Sequence, residues 1–179
     1  MGVETTEVAE NDINRVKGVL LRAWKAGGLE HAVRTGLAAM ASLGFARLFA
    51  MPEAYWAPIT TIIVMQSSFG AAWAISKQRL IGTALGSAMG VLAASYFAQG
   101  VIAFGLAIIA LGVICGALRL DQIAYKFAGI TLAIIMLIAR AEPIWLVAIH
   151  RFVEVSLGIA VALGFSGIWP RREAPNTKQ

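Results

Sequence analysis

A chain of 179 residues that is 59% hydrophobic, 14% charged and has a mean hydropathy of +0.74 is too apolar for a soluble globular domain, where about a quarter of residues are charged. Its formal charge of +5 comes from 15 basic and 10 acidic residues, and the lysines and arginines follow the short connections between apolar runs, so the surplus marks membrane topology and not a nucleic-acid surface. Cys115 is alone inside an apolar run, which excludes a disulfide framework or metal cluster within one chain, and no paired acids or nucleophile with a base point to an enzyme or a cofactor.

Residues 1–28 are expected to form a cytoplasmic segment. They hold eight charges and no long apolar run, so nothing there resembles a cleavable signal peptide, and the first spanning helix carries the chain into the bilayer. Within them, "INRVKGVLLRAWKAGG" sets Ile13, Val16, Val19, Leu20 and Trp24 near one helical face, with Arg15, Lys17, Arg22 and Lys25 elsewhere. This basic amphipathic helix reads either as an anchor on anionic lipid or as an extension of the first spanning helix.

Residues 29–170 have room for six crossings of about 20 residues each. The predicted spans are residues 31–50, 55–69, 79–97, 101–118, 125–139 and 144–169, followed by a cytoplasmic tail at 171–179. Between Arg79 and Arg119 lie 39 residues without a formal charge, twice the length a crossing needs, so they must fold as a hairpin that breaks at Gln99-Gly100. Pro52 and Pro143 sit just before the second and sixth spans, where a missing amide is tolerated. Trp145 and Trp169 lie 24 residues apart, about 36 Å along a helix, and anchor both ends of the sixth.

Basic residues set the orientation. Arg15, Lys17, Arg22, Lys25, the loop bearing Lys77 and Arg79, the loop with Arg119 and Lys126, and the tail with Arg171, Arg172 and Lys178 all fall on one side. The opposite connections hold Arg47 beside Glu53 and Arg140 beside Glu142. A multi-pass protein with both termini cytoplasmic follows.

The stretch "APITTIIVM" at 57–65 resembles "AGITLAIIM" at 128–136, with identities at Ala57/Ala128, Ile59/Ile130, Thr60/Thr131, Ile63/Ile134 and Met65/Met136. Further on, Arg79 and Gly86 have the same spacing as Arg151 and Gly158. The simplest account is two units of three helices. Three is odd, so the second unit enters from the opposite side, which makes an all-α membrane protein of two inverted-topology repeats, a transporter architecture.

The combination of "YWAPITTIIVMQSSFG", "KQRLIGTALGSAMG", "AGITLAIIML" and "HRFVEVSLGIAVAL" resembles the membrane domain of the fusaric acid resistance protein-like and aromatic acid exporter group, over about residues 30 to 170. The resemblance implies efflux of small organic or aromatic carboxylate anions across a bacterial inner membrane. It also implies that one six-helix unit, lacking the soluble domain and second helical block of larger members, dimerises to complete a pathway. More distantly, the six-helix plan is similar to plant malate-permeable anion channels.

Between His31 and Trp169, eight bases face four acids. A charge at the centre of a crossing costs about 2.5 to 3.5 kcal/mol, so such groups need a polar cavity, a partner or an interface. Counted from Ile144, Arg151 lies about 10 Å and Glu154 about 15 Å into the sixth span. Three residues apart, they share a face, and either neutralise each other as an ion pair or divide the work, Arg151 holding an anion and Glu154 exchanging protons. Arg79 and Arg34 serve either an anion funnel or lipid phosphates reached by snorkelling. Arg47, Arg140 and His150 read as interfacial contacts.

In the second span, Pro58, Thr60, Thr61 and Gln66 suggest disturbed backbone beside a solute pathway, with Thr131 at the matched position of the fifth; the plainer account is ordinary interhelical hydrogen bonding. Gly82, Gly86 and Gly90 form a ridge for close helix packing, within the subunit or across a dimer, and Gly112 and Gly116 offer a second. The function expected is proton-coupled export of small organic anions. A passive anion channel and a non-transporting scaffold or assembly subunit are the alternatives.

Overall fold

The computed structural model describes residues 28–66, 68–97, 100–138 and 143–169, with Arg15, Lys17 and Gly18 helical ahead of them. The remainder of the amphipathic segment, Gln99, Arg140, Glu142 and the tail from Pro170 lie outside the described residues. Six helices follow in order: α1 Gly28–Leu48, α2 Trp56–Val64, α3 Phe69–Tyr96, α4 Val101–Ala117, α5 Gln122–Leu137 and α6 Ile144–Ile168. No strand occurs among the described residues. By contact the chain divides into two compact units, Met1–Leu37 and Ala38–Gln179.

The first helix fits its predicted span, and Glu30 in its first turn and Arg47 in its last complement the helix dipole. α1 and α4 end alike. Ala50 and Arg119 adopt left-handed φ values of 49° and 52°, and the amides of Met51 and Leu120 donate at 3.0 Å to the carbonyls of Ala46 and Cys115. That six-to-one bond satisfies carbonyls the helix leaves open. Each helix also buries a stripe four residues apart, Ala38, Ser42 and Ala46 on one and Ala107, Leu111 and Cys115 on the other.

The second and third helices depart from expectation. α2 has 9 residues, about 14 Å, less than half a hydrocarbon core. The chain leaves the helix at Met65, where ψ is 108°, and re-enters at Ser68, whose Oγ accepts the Ala71 amide at 3.3 Å. Between them, Gln66 Nε2 donates to the Ile63 carbonyl at 3.2 Å, an end group of α2. α3 therefore starts at Phe69, ten residues before the predicted position, and runs 28 residues, about 42 Å. Lys77 and Arg79, read as loop charges, are helical. The boundary was misplaced because Arg79 is buried by neighbouring helices, which charge counting along the chain does not register.

α6 is long and apolar enough to cross a membrane, whereas α4 and α5 are apolar but have 17 and 16 residues. α4 shows large apolar side chains on its outer face as well, Ile102, Ile109 and Val113 being exposed. A helix apolar all round belongs in a core or in lipid.

α3 packs along α5 and α6, and α2 lies on α6. One core joins Ala93 of α3, Leu111 and Cys115 of α4, and Ala128, Leu132 and Met136 of α5. A second joins Val64 of α2, Ala72 of α3, and Val155, Ile159 and Ala162 of α6. Glycine sets the closeness of both. A methyl on Gly86 would overlap the Ala128 carbonyl, and one on Gly158 would overlap the Ala57 carbonyl. Gly82 lies against the Ala124 carbonyl, a methyl there falling at 2.5 Å, and Gly90 against Ile135 at 3.1 Å. The Gly82, Gly86 and Gly90 ridge is thus a within-chain surface toward α5. Gly112 meets Tyr125 at an ordinary 3.5 Å, but a methyl on Gly116 meets nothing within 4 Å. Gly116 is not a packing residue within this chain, because that face of α4 opens outward.

Candidate functional site

Residues 52–55 form turns in place of a first turn of helix on α2, with the Trp56 amide donating to the Glu53 carbonyl at 3.0 Å. This leaves the Glu53 amide available, and Glu154 of α6 takes it, Oε1 accepting at 3.1 Å. Glu154 is 1% exposed. A carboxylate from another helix thereby holds the turn that leads into α2. The Glu53 side chain reaches the same helix, Oε2 lying 2.9 Å from Nη2 of Arg151, and it keeps 21% of its surface in contact with solvent space. Arg151, 2% exposed, lays its guanidinium over the Trp56 ring, 3.6 Å from the centroid. One arginine, two carboxylates and an indole converge where the chain enters α2.

A second arginine cluster lies on α3. Arg79 is 5% exposed, ten residues or about 15 Å into the helix. Its Nε and Nη2 donate to Thr60 Oγ1 at 3.3 and 3.1 Å, and its guanidinium lies 4.6 Å from the Phe127 centroid. The neighbouring hydroxyl on α2, Thr61, points to the other side and shares its proton between the carbonyls of Ala57 and Gly158, both at 3.0 Å. α2 therefore joins the two arginine helices through adjacent threonines.

Most of the predicted site residues of the larger unit fall in or beside these clusters, with corrections. Arg151 and Glu154 are inside, and Glu53, which the sequence reading left at the surface beside Arg47, joins them with its carboxylate 2.9 Å from Arg151. Thr60 and Arg79 meet directly. Thr131 does not join a guanidinium: its hydroxyl donates to the Phe127 carbonyl of its own helix at 3.0 Å. Pro58 is the third residue of α2, where its missing amide disturbs nothing, so the irregular backbone lies at 52–55 and at Met65, Gln66 and Ser68 instead. Gln66 closes the end of α2. Arg34 is buried in the smaller unit, at 3% exposure.

Glu53, Trp56 and Phe127 are the site residues that sequence reasoning missed. A signal existed. Extending the match of Ala57 with Ala128 back by one residue sets Trp56 opposite Phe127, and each carries the guanidinium of one matched arginine. The close contacts follow the same register, Gly86 on Ala128 and Gly158 on Ala57. The equivalence breaks at both acids, and the register of Ala57 with Ala128 sets Ala124 opposite Glu53. The spacing that matches Arg79 with Arg151 sets Gly82 opposite Glu154, so one cluster holds acids and the other none among the described residues.

An open groove of about 550 Å³ between α3 and α6, lined by Ala84, Ser87, Ala88 and Phe152 among others, is apolar and contains neither arginine. The charged chemistry lies in the helix contacts.

An all-helical chain with outward apolar faces and buried arginines on aromatic rings is a helical membrane protein. The chain belongs to the fusaric acid resistance protein-like family, whose sequence profile matches residues 38–165. It is similar to the inner membrane protein YeeA of Escherichia coli K12, with 31% identity over 159 residues that cover 85% of this chain and 44% of YeeA. It is also similar to the inner membrane protein YccS of the same organism, 28% identical over 141 residues covering 78% of this chain and 20% of YccS. An uncharacterised protein of Synechocystis, slr1298, is 27% identical over 139 residues, 77% of this chain and 18% of that protein. The chain therefore spans less than half the length of these relatives. No solved structure matches it significantly.

Proposed function

We propose that this chain is a transport unit for small organic anions, aromatic carboxylates foremost, in a bacterial inner membrane, and that it moves solute instead of catalysing a reaction. Six spans form two three-helix units of opposite orientation, α1 to α3 and α4 to α6, with both termini cytoplasmic and two copies completing a pathway. The matched glycine contacts, the matched arginine–ring pairs and the like endings of α1 and α4 support this reading.

One observation carries the functional claim: Arg151, buried on a membrane-length helix, is held between Glu53, Glu154's turn and Trp56. Ionisable groups at such depth are costly and are kept where ions or protons move. In this mechanism Glu154 takes a proton from the outer side. Neutralising it weakens its hold on the Glu53 amide, loosens the start of α2 and lets one three-helix unit rock against the other. Export of the anion follows the inward flow of protons.

The test is flux of labelled benzoate in proteoliposomes with and without an imposed pH gradient. Gradient-driven flux that disappears in Glu154→Gln supports coupling. Flux indifferent to the gradient and lost only in Arg151→Gln identifies a channel. No flux for any carboxylate in a panel identifies a scaffold.

A further inference from the structure

The two arginine clusters are alike in geometry and opposite in charge. Around Arg151 stand Glu53 and Glu154, two acids for one base. Around Arg79 stand the Thr60 hydroxyl and the Phe127 ring, both neutral, with Gly82 at the position that Glu154 occupies in the matched half. Arg79 is thus a cation, 5% exposed, that meets no acid among the described residues. A buried charge without a counter-charge is unfavourable unless something else compensates it. A guanidinium does not escape by releasing its proton.

We infer that Arg79 is the seat of the transported anion, while the Arg151 cluster handles the proton. The inference rests on the transport reading above and divides its labour between the two clusters. Of the five N–H groups of a guanidinium, Nε and one on Nη2 are directed at Thr60. Thr60 in turn is held in place by the close approach of Gly158, whose added methyl would lie 2.7 Å from Thr60 Cβ. The end edge remains, one N–H on Nη1 and the second on Nη2, two parallel donors with the spacing of a carboxylate, and Phe127 fixes the plane in which they point. The single uncompensated charge selects a monocarboxylate. A second carboxylate would bring a further charge to a cluster whose other partners, Thr60 and Phe127, are neutral. The Phe127 ring beside Arg79 suits an apolar body on that acid.

A lipid phosphate offers the same oxygen pair, so the experiment separates the two sources. Protein in uncharged detergent is melted against sodium benzoate, against phthalate and against a short-chain phosphatidylglycerol, at constant ionic strength. Benzoate is expected to raise the melting temperature saturably, and phthalate to require at least tenfold more ligand. Arg79→Lys should weaken benzoate binding about tenfold, since an ammonium loses the bidentate edge. Arg79→Gln should abolish binding yet melt no lower than wild type without ligand, because it removes an uncompensated charge. Gly116→Ala, away from both clusters, should leave benzoate affinity unchanged. Wild-type affinity in Arg79→Gln, or protection by phosphatidylglycerol alone, overturns the assignment. If Arg79→Gln does not fold, Thr60→Val, which frees the guanidinium without removing it, must still change benzoate affinity; no change overturns the assignment too. Binding without any flux in proteoliposomes refutes the transport reading and leaves the seat intact, whereas flux that persists in Arg79→Gln does the reverse.

Discussion

Arg151 pairs with Glu53, a residue 98 positions earlier in the chain, at 2.9 Å, and both belong to a turn-and-helix junction that also takes in Glu154. The pair is partly buried, so its value lies in what happens when one partner is lost. Removing one member of a buried pair strands the other. Glu53→Gln and Arg151→Gln should each destabilise the protein, and the double variant should recover part of the loss. Thermal or denaturant melts in detergent should give a coupling energy of about 1 to 3 kcal/mol. Additive single effects would refute the pairing.

The glycine contacts make a sharper test of the fold. Gly86→Ala and Gly158→Ala each put a methyl into a carbonyl of the facing helix. Overpacking of this kind costs about 1 to 3 kcal/mol. Gly116→Ala enters open space and should be neutral or stabilising, by up to about 1 kcal/mol from helix propensity. Equal melting temperatures for all three would show that α3–α5 and α2–α6 do not approach as described.

Adjacent threonines on α2 should respond differently. Thr61→Val removes a hydroxyl shared between Ala57 and Gly158, an interhelical bond worth about 0.6 kcal/mol. Thr60→Val strands two N–H groups of a buried guanidinium and should cost about 1 to 3 kcal/mol. A melt that ranks Thr61→Val as the worse substitution would count against the Arg79 site.

Topology is open to labelling. On a Cys115→Ala background, which removes the buried thiol, single cysteines at Leu120 and at Lys17 should react with an impermeant maleimide only from the cytoplasmic side. A cysteine at Gly100 should react only from outside. Leu120 and Gly100 reacting from the same side would exclude a crossing by α4.

Much of this organisation was legible in the chain. The positions of α1, α4, α5 and α6 follow from apolar length and from prolines and glycines at their ends, because in lipid a backbone must satisfy its own polar groups and few structures do so. The likeness of residues 57–65 to 128–136 was visible in the chain, and the structure sets the rings just before each, Trp56 and Phe127, on Arg151 and Arg79. What failed was reading charge as boundary. Lys77 and Arg79 looked like the end of a helix, since a cation inside a long helix has no visible compensation when only its neighbours in sequence are known.

The sequence by itself determined that this is a helical membrane protein with an arginine in each of two similar blocks. Only the tertiary structure decided what each arginine means. Burial makes charge a property of the surroundings, and the surroundings are assembled from distant segments: Glu53 and Trp56 for Arg151, Thr60 and Phe127 for Arg79. The same side chain is compensated in one cluster and left cationic in the other by two residues, Glu53 and Glu154 against Ala124 and Gly82.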